Sequence, residues 1–116
     1  MKELIKASKA LSDETRLRIL NVILEKECCV CEVMQALEIS QSRASRNLGI
    51  LEDAGFLTAR REGSWVLYSL RERSGDSLTE YLTRILKEFL ADNKVLVGDR
   101  ERLQHAVRIG PGCGKR

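Results

Sequence analysis

A chain of 116 residues with 43% hydrophobic and 32% charged residues and a single proline is long enough for one core and too apolar for disorder. Its net charge of +3 and pI of about 8.8 are compatible with nucleic-acid binding without demanding it. The charged start MKELIKASKAL and the lack of any run of about 18 apolar residues argue against a signal peptide or a membrane span, so a cytoplasmic protein is expected. Thiols stay reduced there, and the four cysteines are read as metal-binding or redox groups rather than staples.

Residues 3 to 11 place Leu4, Ile5, Ser8 and Leu11 along one side of a short helix. Ser12 or Asp13 restarts the chain. From Glu14 to about Lys26, Leu17, Leu20 and Leu24 form one row and Ile19 and Ile23 a second, which predicts a helix buried over a wide stripe. Residues 30 to 37, VCEVMQAL, predict a short helix with Val30, Val33, Met34 and Leu37 inward. Only Glu38 and Ile39 separate it from Ser40, whose hydroxyl suits a helix N-cap. The next helix then runs from Gln41 to about Ala54, ended by Gly55, and the pair has helix-turn-helix spacing.

That second helix is two-faced. Ala44, Leu48 and Leu51 fall on one side, and Ser42, Arg46, Gly49 and Asp53 on the other, flanked by Arg43 and Ser45. Arg43 and Arg46 lie in its first half, Glu52 and Asp53 in its second, so only the N-terminal half suits phosphate. A solvated amphipathic helix is the bland alternative; its place after a tight turn favours a reader of DNA.

After Gly55, alternating β-branched and aromatic residues around Gly63 and Ser64 predict a hairpin. Arg60 and Arg61 lie near its tip, placed either to touch phosphate beside the groove or to protect an edge strand. Ser77 caps a long helix to about Ala91, with Leu78, Leu82, Ile85 and Phe89 in one row and Tyr81, Leu86 and Leu90 in a second. That is more apolar surface than a small domain needs, and a dimer formed with the first helix is its natural use. Residues 1–97 are expected to form the DNA-binding and dimerisation domain, and residues 98–116 a polar tail.

The phrases LSDETRLRIL, ECCVCEVMQAL, SQSRASRNLGILEDAGFL and REGSWVLYSL, in this order over residues 4 to 90, together resemble the ArsR/SmtB family of metal-responsive winged-helix repressors, its arsenic-sensing members most closely. The resemblance implies a mainly α winged helix-turn-helix with a small β-hairpin wing, dimeric through its first and last helices. It implies a non-enzymatic homodimer on double-stranded operator DNA, without a cofactor for DNA binding, released by As(III) or Sb(III) as inducer. Gln41, Ser42, Arg43, Ser45 and Arg46 match the DNA-reading helix, and Arg60 and Arg61 the wing; Asn47 stands where arsenic-sensing members often have His.

The family's arsenic pattern is Cys-Val-Cys with a third cysteine further along the helix. Cys29 and Cys31 match it, but Met34 replaces the third thiol, and a thioether brings no charge to a soft centre that favours three thiolates. Cys28 is the nearest substitute and Cys113 the runner-up. On an ideal helix Cys29 and Cys31 are about 200° apart, so binding one atom would require the first turn to unwind. Cys28 and Cys31 share a face, and a helix N-terminus is expected to lower the thiol pKa. The family's zinc and cadmium or lead sites are not expected: the long helix lacks His, residues 1–27 lack Cys, and the lone His105 reads as a surface residue. A thiol redox or persulfide switch at these cysteines, or a sensor of another soft metal ion, is the alternative. Burial as small hydrophobes is the bland reading of any single Cys.

Overall fold

In a computed structural model, which describes residues 1–71 and 77–109, the chain folds as helices around a small sheet. Helix α1 (Lys2–Leu11) leads through Ser12 to α2 (Glu14–Glu25), whose N-cap Asp13 accepts from the backbone N–H of Arg16. The chain then extends into β1 (Cys28–Cys29) before α3 (Val30–Leu37). Glu38 turns the chain in the left-handed region at φ 58°, and Ser40 caps α4 (Gln41–Asp53) by accepting from Arg43 N–H. The predicted helix-turn-helix is therefore present with nearly the predicted ends.

Strands β2 (Leu57–Glu62) and β3 (Trp65–Leu70) form the hairpin, and β1 adds on the far side of β3, giving the antiparallel order β1-β3-β2. Gly63 has φ 62° while Ser64 keeps a negative φ, the pattern of a type II′ turn with Gly at its first central position. Strand β1 was not foreseen, because two cysteines have no detectable period. Its register, Cys28 opposite Tyr68 and Cys29 opposite Leu67, decides which way each thiol points.

The core lies between α2, α3 and α4. Ile19, Leu20, Val22 and Ile23 meet Val33, Ala36 and Leu37 on one side and Ala44, Leu48 and Leu51 on the other, with Phe56 and Leu57 closing the base. Each of these large side chains contributes about 1.5–3 kcal/mol by leaving water. Helix α5 (Leu78–Phe89), capped by Ser77, rests Leu78, Leu82 and Leu86 on this core. The apolar rows divide differently from the predicted ones, since Ile85 and Phe89 stay exposed together with Tyr81.

Beyond α5 the structure corrects the expectation of a tail from residue 98. Asn93 caps a further helix, α6 (Lys94–His105), which packs on α2 and α3. Its core contact is sparse, Leu96 and Leu103, seven residues apart. Polar ties do the rest: buried Asp99 accepts from Arg18 Nε at 2.8 Å and Nη2 at 2.9 Å, and from Arg102 Nη2 at 2.7 Å. The same arginines donate to the carbonyls of Leu37 and Ala36, which the end of α3 would otherwise leave unpaired. Helix α6 thus braces the end of α3 beside the turn into α4. No helix among the described residues is long and apolar enough to cross a membrane.

Candidate DNA-reading helix and thiol site

Helix α4 buries Ala44, Leu48 and Leu51 as the periodicity predicts, leaving Ser42, Arg43, Arg46 and Gly49 exposed. Gln41 donates to Ser45 Oγ at 3.0 Å, so these two half-buried side chains present one polar unit. Arg43 reaches back to Thr15 Oγ1 at 2.7 Å, which ties α4 to α2. Asn47 is not a surface position. It is buried, donates to the Arg43 carbonyl and accepts from Arg16 Nη1 at 2.9 Å. Arg16 also donates to the carbonyls of Ala10 and Lys9, so one guanidinium fixes α4 against the end of α1.

The two wing arginines differ. Arg60 donates as a fork to both oxygens of Glu27, at 2.9 and 2.7 Å, and to Glu62 at 2.7 Å. Its hydrogen bond holds the Glu27 carboxyl below the usual carboxylate range. Its charge is therefore already met within the chain. Arg61, one residue on, points to the opposite face of the strand and is exposed.

The thiols separate along the same alternation. Cys28 sits fully buried in the main core, with Tyr68 against it, while Cys29 packs with Cys31 and Leu67 on the other face of the sheet. Because Cys29 is the N-cap of α3, with extended φ −87° and ψ 171°, it lies outside the helix and its side chain folds over Cys31. Their Sγ atoms are 3.2 Å apart. This overturns two expectations: no unwinding is needed to bring Cys29 and Cys31 together, and Cys28 does not share their face. Cys28 and Cys29 are free thiols, and Cys31 is disulfide-bonded. Cys113 lies outside the described residues.

The expected lowering of thiol pKa at the helix start is also reversed. Burial, reinforced by the nearby Glu32 carboxylate, pushes the Cys28 thiol up to about 12. Burial raises Cys29 as well. Glu32 is itself buried at the third position of α3, accepting from Cys29 N–H at 2.9 Å, Lys26 Nζ at 2.8 Å and Arg108 Nε at 3.0 Å. Despite its burial, these donors hold its carboxyl below the usual range. With respect to a soft ion, two sulfurs converge and the third described one faces away. No group of three or more His, Cys, Asp or Glu among the described residues is placed to hold a metal.

Arg16, Arg18, Glu32, Trp65 and Asp99 were not singled out from the sequence. Leu96 and Leu103, at helical spacing within a polar run, were the available signal for α6. Nothing local marked Arg16 or Trp65.

The family model described as bacterial regulatory protein, arsR family, matches residues 13–59, the span of α2 through the start of the wing. The chain is 51% identical over 63 residues to the arsenic resistance transcriptional regulator ArsR1 of Pseudomonas putida, covering 53% of this chain and 49% of that protein, so the match spans about half its length. The arsenic resistance transcriptional regulator ArsR2 of the same organism is 44% identical over 89 residues, covering 73% of this chain and 77% of its own. Among solved structures, reduced HlyU from Vibrio cholerae superposes with a TM-score of 0.67 at 28% identity, covering 78% of this chain and 92% of that one.

Proposed function

The chain belongs to the ArsR family of bacterial regulatory proteins, non-catalytic and DNA-binding, and from that premise we propose that it is a homodimeric repressor released from operator DNA when As(III) or Sb(III) joins the thiolates of Cys29 and Cys31. The observation that carries this reading is the 3.2 Å approach of those two sulfurs at the start of the helix that seats the reader. The relatives named for arsenic resistance support the same ligand class.

DNA binding is assigned to the N-terminal half of α4, with Gln41, Ser42, Arg43, Ser45 and Arg46 in the major groove and Arg61 of the wing on phosphate. Arg60 serves the wing's shape rather than its charge. The homodimer is assigned to Leu4 and Ile5 of α1 with Tyr81, Ile85 and Phe89 of α5, apolar side chains left exposed on two helices that touch each other.

Capture is an exchange at arsenic. Each thiol gives up its proton, a hydroxide leaves arsenic as water, and an As–S bond forms, with Cys31 in its reduced state. The high thiol pKa makes the step faster as pH rises. A third thiolate is assigned to Cys113 in preference to Cys28, which faces the core. Because α3 is fixed to α6 and leads directly into α4, a ligand that prefers a shifted start of α3 also prefers a shifted reader. A coupling of about 1–3 kcal/mol lowers operator affinity 5- to 150-fold.

Native mass spectrometry of the reduced protein with arsenite tests this. One arsenic per chain, retained in Cys28→Ala and lost in Cys29→Ser and Cys31→Ser, is the expected result; no stoichiometric binding contradicts it. A second reading, a thiol redox switch, draws support from the disulfide-bonded state of Cys31. It predicts release from DNA by peroxide, reversed by reductant, without arsenic uptake.

A further inference from the structure

Thr15 and Arg16, consecutive residues near the start of α2, hold α4 at two points one turn apart. Buried Thr15 Oγ1 accepts from Arg43 Nη2 at 2.7 Å, and Arg16 Nη1 donates to buried Asn47 Oδ1 at 2.9 Å. The Asn47 amide is oriented by its own donation to the Arg43 carbonyl at 2.9 Å, so the set closes on itself. The rest of the Arg16 fork leaves α4 altogether. Its Nε donates to the Ala10 carbonyl at 2.7 Å and its Nη2 to the Lys9 carbonyl at 3.1 Å, where the last turn of α1 favours a cation.

We infer that Arg16 is a positioning residue for DNA recognition: by joining the last turn of α1 to α4 through one rigid guanidinium, it sets the half-site spacing that a dimer accepts. The inference rests on the preceding assignments of α4 to the major groove and of α1 with α5 to the dimer. Arg16 acts through Asn47, and neither side chain touches DNA.

Apolar packing does not fix the offset between α1 and α4. Helix α1 packs on α2 and α5, and it buries Ala7 and Ala10, side chains too short to interlock with a neighbour. Lys6 Nζ and Asp53 Oδ2 also join α1 to α4, at 2.8 Å, but both side chains are exposed and such a pair contributes little. A planar fork bonded to acceptors on two helices resists sliding and rotation together, which a freely turning ammonium does not. Two-fold symmetry then doubles any error, because each protomer carries the same shift to its own half-site. Position is also separate from charge here. Exposed Arg46 and Arg61 take no part in the set, so loss of Arg16 leaves them available to phosphate.

Fluorescence anisotropy of the full chain tests this with three duplexes: the protein's own promoter with half-sites located by footprinting, the same with one base pair inserted between them, and a random sequence. Arg16→Gln and Arg16→Lys are expected to bind the promoter about tenfold more weakly than wild type, and the random duplex equally well with the same salt slope. Both should lose most of the wild-type discrimination against the inserted base pair. Asn47→Leu should weaken promoter binding as well, and adding Arg16→Gln to it should cost little more. Equal loss on all three duplexes marks general loosening and overturns the positioning role. Unchanged promoter affinity, or undiminished discrimination against the inserted base pair, overturns it too. A wild type that binds promoter and random sequence alike overturns the preceding DNA assignment instead, and the positioning role falls with it.

Discussion

Cys29 and Cys31 bring their Sγ atoms to 3.2 Å although a single residue separates them, because Cys29 is the extended N-cap of α3 and Cys31 lies within its first turn. A pair straddling a helix start is spread by any change in that first turn. Glu32 completes a reciprocal cap there, its carboxylate bonded to the Cys29 N–H. The two cysteines are thus built into the element whose far end is the turn before α4.

The two wing arginines separate by experiment. Arg46→Ala and Arg61→Ala are expected to weaken operator binding and each to reduce the salt slope by about 1, measured by fluorescence anisotropy across a salt series. Arg60→Ala changes the slope little, since Glu27 and Glu62 already occupy its guanidinium. An Arg60→Ala loss as large as that of Arg46→Ala contradicts the assignment.

Asp99 holds α6 to α2 with no exposed surface of its own. Asp99→Ala strands the mostly buried Arg18, and a loss of about 3 kcal/mol in urea unfolding is expected. The paired change Arg18→Met with Asp99→Leu should recover most of it, because apolar packing replaces a buried ion pair at little cost. No recovery shows that the arginine's bond to the Leu37 carbonyl matters more than the pair.

Much of this frame is legible in the sequence because it rests on local periodicity and caps. Ser40, Gly55 and the Ala44, Leu48, Leu51 row bound and orient α4, and the Gly63–Ser64 turn marks the wing. Helix α6 escaped because its packing depends on ion pairs across 81 residues of sequence, Arg18 to Asp99, which leave no periodic trace. The thiol geometry escaped for a related reason. Whether Cys28 and Cys29 are helical or extended is decided by pairing with β3, and that choice alone reverses which two cysteines meet.

Acid stability carries the signature of Glu32. Its folded carboxyl titrates below the ordinary value of 4.5, so the unfolded chain binds the proton first as pH falls. Its contribution is fully present above about pH 4.5 and is lost as pH drops through the folded value. Glu32→Gln should flatten that part of the stability profile in urea titrations between neutral and acid pH. An unchanged acid limb places the dependence on other carboxylates.

The exposed stripe on α1 and α5 gives a test of assembly. Ile85→Glu or Phe89→Glu is expected to yield folded monomers in sedimentation velocity and to lose operator affinity, since the two half-sites are then no longer bound together. Dimers that persist in both variants move the interface elsewhere.

The most direct measurement is release from the protein's own promoter DNA, followed by anisotropy during arsenite titration of the reduced wild type, Cys28→Ala, and the double variant Cys29→Ser, Cys31→Ser. Wild type and Cys28→Ala should leave the DNA at matching arsenite, while the double variant stays bound. Equal release of all three, or loss of the response in Cys28→Ala alone, contradicts the assignment of the inducer to the Cys29–Cys31 pair.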